Sequence, residues 1–176
     1  MQVLAGPFAA AAAVLAVAGV AKVARPGPTA AALRAARLPA HRAVVVALGG
    51  AEAAIGVGGL TVGSRLFGAL VAACYLGFAG FVAVLRRRGT DTSCGCFGQP
   101  DTPPTRLHLG LNLAAAAVAL LAVRWPVRLG SAVRALPPGD GLLLLALVAA
   151  CVWLAYLSLS LLPGTLERGA GRGRAR

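Results

Sequence analysis

Apolar positions in this chain run on in long blocks, with no helical or two-residue alternation, and the charged residues fall between the blocks. Five intervals stand out. Met1 to Ala21 has no charge and centres on AAAAAVLAVAGVA; Ala43 to Ser64 has only Glu52; Leu66 to Leu85 has none. Leu107 to Val123 is bounded by Arg106 and Arg124, and Gly141 to Leu162 reads GLLLLALVAACVWLAYLSLSLL. A transmembrane helix needs about 20 apolar residues, and an unpaired charge in hydrocarbon costs a few kcal/mol or more. The pattern therefore predicts an all-α, polytopic membrane bundle of five helices, or four in a core with an appended fifth. The fourth interval has 17 residues, the shortest of the set. His108 near its start is expected at headgroup depth.

The connections are short and rich in helix breakers. Pro26, Gly27 and Pro28 are expected to stop the first span, and TAAALRAARL (29–38) to form a short surface helix before Pro39. The second connection is a few residues around Arg65, which makes spans two and three a tight antiparallel hairpin. The third, 86–106, is the longest and most polar. On this reading 1–123 form a membrane core, 124–162 add a loop and a further span, and 163–176 are a disordered Gly/Arg tail.

Composition agrees with a membrane solvent. Of the 176 residues 59% are apolar and 12% charged, against roughly a quarter charged in soluble domains. The 17 Lys and Arg against 5 Asp and Glu would suit a nucleic-acid binder; in a polytopic chain the excess first sorts loops by the positive-inside rule. Loops one and three and the tail hold 13 of the 17. That places the N-terminus outside and the C-terminus in the cytoplasm of the plasma membrane, with the third loop cytoplasmic and no polyanionic partner needed. A cleaved signal peptide is the rival for the first segment, with Ala16-Val17-Ala18 as a small-x-small site but no basic n-region.

Candidate chemistry concentrates in the third loop, where Arg86, Arg87 and Arg88 precede Cys94-Gly95-Cys96. Thiols one residue apart close a strained ring that is easily reduced or exchanged. Gly95 is the flexible spacer, and nearby arginines favour the reactive thiolate. A redox pair is the preferred reading; a structural disulfide and a metal site are the alternatives. Zinc wants four ligands, and the two cysteines with His108 leave a gap that His41, in another loop, does not obviously fill. Cys74 and Cys151 sit in spans three and five, where packing is the default role and an intramembrane relay the alternative if the helices adjoin. Glu52, mid-span among small residues, needs a partner; Lys22 is the candidate, its plain role being to snorkel to the interface. Asn112 is expected to hydrogen-bond across helices. No nucleotide-binding, haem, hydrolase or transferase motif is present, and no cofactor is expected.

The elements AVAGVAKV, the LP of loop one, AEAAIGVGGL, CGCFG and the Asn near the start of span four resemble those of the MauE family, within the MauE/DoxX-like redox-associated membrane proteins. The likeness covers roughly residues 5 to 123, with CGCFG its most specific part; Leu111 precedes Asn112 where many relatives carry Arg. The resemblance implies a maturation role: disulfide formation or processing of an exported client such as the methylamine dehydrogenase small subunit, alongside a thioredoxin-like partner. Cys94 and Cys96 would be the exchanging pair. An exported client is simplest to serve with the loop outside, whereas the arginine count puts it inside. The other functions in view are a non-catalytic chaperone or scaffold with Lys22, Glu52 and Asn112 as its groove, and a transmembrane carrier of reducing equivalents.

Overall fold

The computed structural model describes residues 4–89 and 105–160. These form seven helices: α1 (Ala5–Ala24), α2 (Pro26–Ala35), α3 (Arg42–Thr61), α4 (Arg65–Arg87), α5 (Arg106–Arg124), α6 (Leu129–Arg134) and α7 (Pro138–Ser160). Four of them, α1, α3, α4 and α5, are long and apolar enough to cross a membrane. A fifth apolar helix, α7, follows, with a shorter apolar stretch at Gly139–Leu154.

Two helix pairs make the core, α1 with α3 and α4 with α5. Small residues set the first. A Cβ on Gly19 would stand 2.5 Å from the Gly49 carbonyl oxygen, and one on Gly56 would stand 2.5 Å from the Ala12 carbonyl oxygen. Backbones that approach this closely gain dispersion contacts, which drive helix association in lipid. The same contacts fix the direction: Gly19 faces Gly49 and Gly56 faces Ala12, so α1 and α3 are antiparallel. Phe8, Leu15, Val71, Tyr75 and Ala119 then join the two pairs in one cluster.

The turn between α3 and α4 is as tight as its sequence requires. Gly63 has φ +55, and a Cβ there would collide with the Val127 carbonyl, so only glycine fits this left-handed turn. Ser64 then caps α4 by accepting from the Phe67 N–H.

The first span ends at Ala24, just before Pro26, and a short helix follows as expected; two details differ from the simple reading. Pro26 does not merely end α1; it begins α2, because proline is preorganised for the first helical turn, where its missing N–H is no loss. One face of α2 is packed inward. Thr29, Ala30 and Ala32 are buried, and Ala32 and Ala36 pack against Leu85 near the end of α4.

Helix order brings the ends of α1 and α4 and the starts of α3 and α5 together, with α2 beside them. Arg25, Arg34, Arg37, Arg42, Arg86, Arg87, Arg88 and Arg106 therefore share one end of the bundle. Arg65, Arg124, Arg128 and Arg134 belong to the other end.

Candidate functional site

Glu52 lies mid-helix in α3 and Lys22 in the last turn of α1. The Gly19 and Gly49 contact draws these helices so close that neither side chain reaches lipid, and they meet. Lys22 Nζ donates to Glu52 Oε2 at 2.6 Å, with side-chain exposures of 5% and 1%. Lys22 thus points into the bundle instead of snorkelling to the interface: once its helix packs on α3, a buried carboxylate is the nearer counter-charge. Phe78 of α4 covers the ammonium at 4.9 Å from its ring centroid, and Tyr75 meets Phe78 edge to face. The Tyr75 hydroxyl in turn donates to the Ala11 carbonyl at 2.7 Å, tying α4 to α1. Among the described residues Glu52 Oε1 has no hydrogen-bond partner, and the atom is buried.

Beside this pair is a cavity of about 430 Å³ between α1, α2, α3 and α4. Lys22, Glu52 and Thr29 contribute its few polar groups; Leu48, Cys74, Phe78 and Phe81 are among its apolar walls. Of the intramembrane polar residues expected to act together, the structure joins Lys22 and Glu52 and separates Asn112. Asn112 Nδ2 donates to the His108 carbonyl of its own helix at 2.7 Å. The reason is local: a helical Asn reaches the carbonyl four residues back without any neighbour. Asn112 lines a second cavity of about 230 Å³, together with Tyr75 and Cys151. Cys74 and Cys151 therefore line different cavities; both are free thiols, and α7 packs chiefly on α1 and α6.

His108, in the first turn of α5, is 1% exposed. It serves the start of α5. Thr105 Oγ1 accepts from the His108 N–H while His108 Nδ1 accepts from the Thr105 N–H, a reciprocal cap. Among the described residues, the buried His108 Nε2 has no hydrogen-bond partner. The signal for this was present in the sequence, a Thr three residues before a His at a span start, but histidine is not the usual capping-box residue. Phe78 and Tyr75 were also missed; as aromatics within an apolar block they carry no positional signal.

Cys94, Gly95 and Cys96 lie outside the described residues. Among the described residues, no group of three or more His, Cys, Asp or Glu comes together as a metal site. What is fixed is the base of the loop: α4 ends at Arg87 and α5 begins at Arg106. Residues 2–126 match the family described as methylamine utilisation protein MauE. The chain belongs to that family. The matched stretch runs from α1 through α5 and contains the ion pair, both cavity-lining faces of α4 and the Cys94-Gly95-Cys96 loop. No curated protein and no solved structure matches the chain. Family membership and four apolar helices make this a methylamine-utilisation membrane protein.

Proposed function

We propose that this protein assists the maturation of an exported redox protein, of the methylamine dehydrogenase small-subunit kind, by thiol–disulfide exchange at Cys94 and Cys96. The observation that carries this reading is the family match across the segment holding Cys94-Gly95-Cys96, in the connection between two antiparallel spans. In the exchange, one thiolate attacks a sulfur of a disulfide on a thioredoxin-like partner and a mixed disulfide forms. The second thiolate then displaces the partner, which leaves as a dithiol, while Cys94 and Cys96 become a disulfide. The reverse sequence transfers that disulfide to a client dithiol, so the two electrons taken from the client are the two returned to the partner.

In the plasma membrane, the end of the bundle bearing eight arginines is assigned to the cytoplasm by the positive-inside rule. A pair held there is kept reduced; that placement favours the alternative reading, a carrier that passes reducing equivalents outward, over oxidation of the client. A non-catalytic scaffold is the second reading, favoured by the Lys22–Glu52 pair beside a cavity.

Labelling Cys94 and Cys96 in intact cells with a membrane-impermeant maleimide, with and without prior reduction, reads both sidedness and redox state. Cys94→Ser and Cys96→Ser are expected to insert normally and to lose the mixed disulfide. Normal client maturation in both variants would overturn the exchange mechanism; loss of maturation in Glu52→Gln alone would favour the scaffold.

A further inference from the structure

We infer that the cavity between α1, α2, α3 and α4 is a binding site for a neutral, lipid-borne hydroxylated ring, a phenol or quinol head, that donates to Glu52. Four observations converge on that chemistry. Glu52 Oε1 is a buried acceptor with no donor among the described residues, and an acceptor left so in a low-dielectric site costs free energy that a ligand O–H would recover. Lys22 already neutralises Glu52, so a charged ligand would leave a net charge in hydrocarbon, and only a neutral one avoids that penalty. Phe78 and Phe81 supply aromatic walls, which suit a flat ring. Finally, the rim is open to lipid: Leu48 is 40% exposed, and Ala73 and Gly77 on α4 are exposed as well. At about 430 Å³ the volume falls in the range of small-molecule sites. The site is independent of exchange at Cys94 and Cys96, and each reading can fail without the other.

Cys74 lines this cavity and Cys151 another, so the protein contains its own reporter and its own control. Purified full-length protein in nanodiscs is alkylated with N-ethylmaleimide, and each cysteine is quantified by mass spectrometry. The probes are 4-hexylphenol, hexylbenzene, which lacks the hydroxyl, and 1-decanol, which lacks the ring. At ten times its Kd, 4-hexylphenol is expected to slow Cys74 alkylation about tenfold and to leave Cys151 unchanged. Hexylbenzene is expected to bind roughly tenfold or more weaker, the loss of one hydrogen bond to a charged acceptor, with 1-decanol also weaker than the phenol. In Gly77→Leu the new side chain enters free space, since nothing lies within 4 Å of a Cβ at that position; the Cys74 rate should then no longer respond to 4-hexylphenol. In Glu52→Gln the phenol is expected to lose its advantage over hexylbenzene. Should Glu52→Gln fail to fold, Gly77→Leu decides the matter alone. Equal protection by the phenol and hexylbenzene, an undiminished phenol effect in Gly77→Leu, or no protection of Cys74 at all would each overturn the proposal.

Discussion

Removing one partner of the Lys22–Glu52 pair should cost far more than removing both. At 2.6 Å and an effective dielectric near 20, the gross attraction is roughly 6 kcal/mol. Desolvation of two groups exposed by only 5% and 1% opposes most of it, so the intact pair contributes little net stability. The asymmetry appears when one member is lost. Lys22→Met leaves a buried carboxylate and Glu52→Leu a buried ammonium, and such breaks cost about 3 to 5 kcal/mol. Neutralisation of the orphan by proton uptake or release limits the loss, so about 3 kcal/mol is expected for each. The double variant leaves no orphan and similar volume, and is expected within about 1 kcal/mol of the native chain. The assay is reversible unfolding in mixed micelles of increasing SDS fraction, followed by tryptophan fluorescence, with the four proteins forming a double-mutant cycle. Two results would refute the reasoning: singles within about 0.5 kcal/mol of native, or a double variant equal to the sum of the singles.

Other expectations follow from single contacts. Gly56→Ala puts a Cβ 2.5 Å from the Ala12 carbonyl oxygen and 2.6 Å from the Ala16 nitrogen; α1 and α3 must separate, and the same unfolding assay should show a loss of at least about 1 to 3 kcal/mol. Gly80→Ala meets nothing within 4 Å and is expected to stabilise by about 0.5 to 1 kcal/mol through helix propensity. Tyr75→Phe removes the 2.7 Å bond to the Ala11 carbonyl and should cost about 1 kcal/mol in SDS unfolding, less than the loss of either ion-pair partner. Ala32→Leu overfills a fully buried position between α2 and α4 and should raise the alkylation rate of Cys74, whereas Ala31→Leu on the same helix serves as the control.

The spans were legible because hydropathy along the chain is sufficient to find them. Ala43 to Ser64 was read from charge spacing and α3 runs Arg42–Thr61; Leu66 to Leu85 lies within α4, Arg65–Arg87. What could not be read was the direction in which a side chain points. In a soluble helix the polar face gives the orientation, but here both faces are apolar, so nothing distinguished an Asn112 that crosses to another helix from one that bonds its own. Lys22 was ambiguous for the same reason: snorkelling and pairing need the same residue at the same helix end. The deciding contact, Gly19 on Gly49, is tertiary. The burial of α2 was hidden by its composition, since PGPTAAALRA reads as a loop with helical tendency until Ala32 is set against Leu85. α6 lies in a segment with too few residues for a periodic signal.

Distance separates the cavity from the base of the cysteine loop. Cys74 lines the cavity and α4 ends at Arg87; at about 1.5 Å per residue the thirteen steps between them amount to roughly 20 Å. Direct contact at the foot of the loop is therefore not how a ligand beside Glu52 would be felt there. The ten-residue α2 offers a physical connection. Thr29 and Leu33 line the cavity, Ala32 and Ala36 pack on Leu85, and the Arg88 guanidinium donates to the Ala35 carbonyl at 3.4 Å. One face of a short helix forms a cavity wall while adjacent positions brace the last turn of α4, where the loop departs. Gly19 and Gly49 lie at the helix contact that positions Lys22 and Glu52, and Ala32 and Ala36 lie where α2 meets Leu85 of α4. At the α1–α3 contact the absent side chains let backbones touch, so displacement passes between those helices directly, whereas between α2 and α4 it passes through the Leu85 side chain.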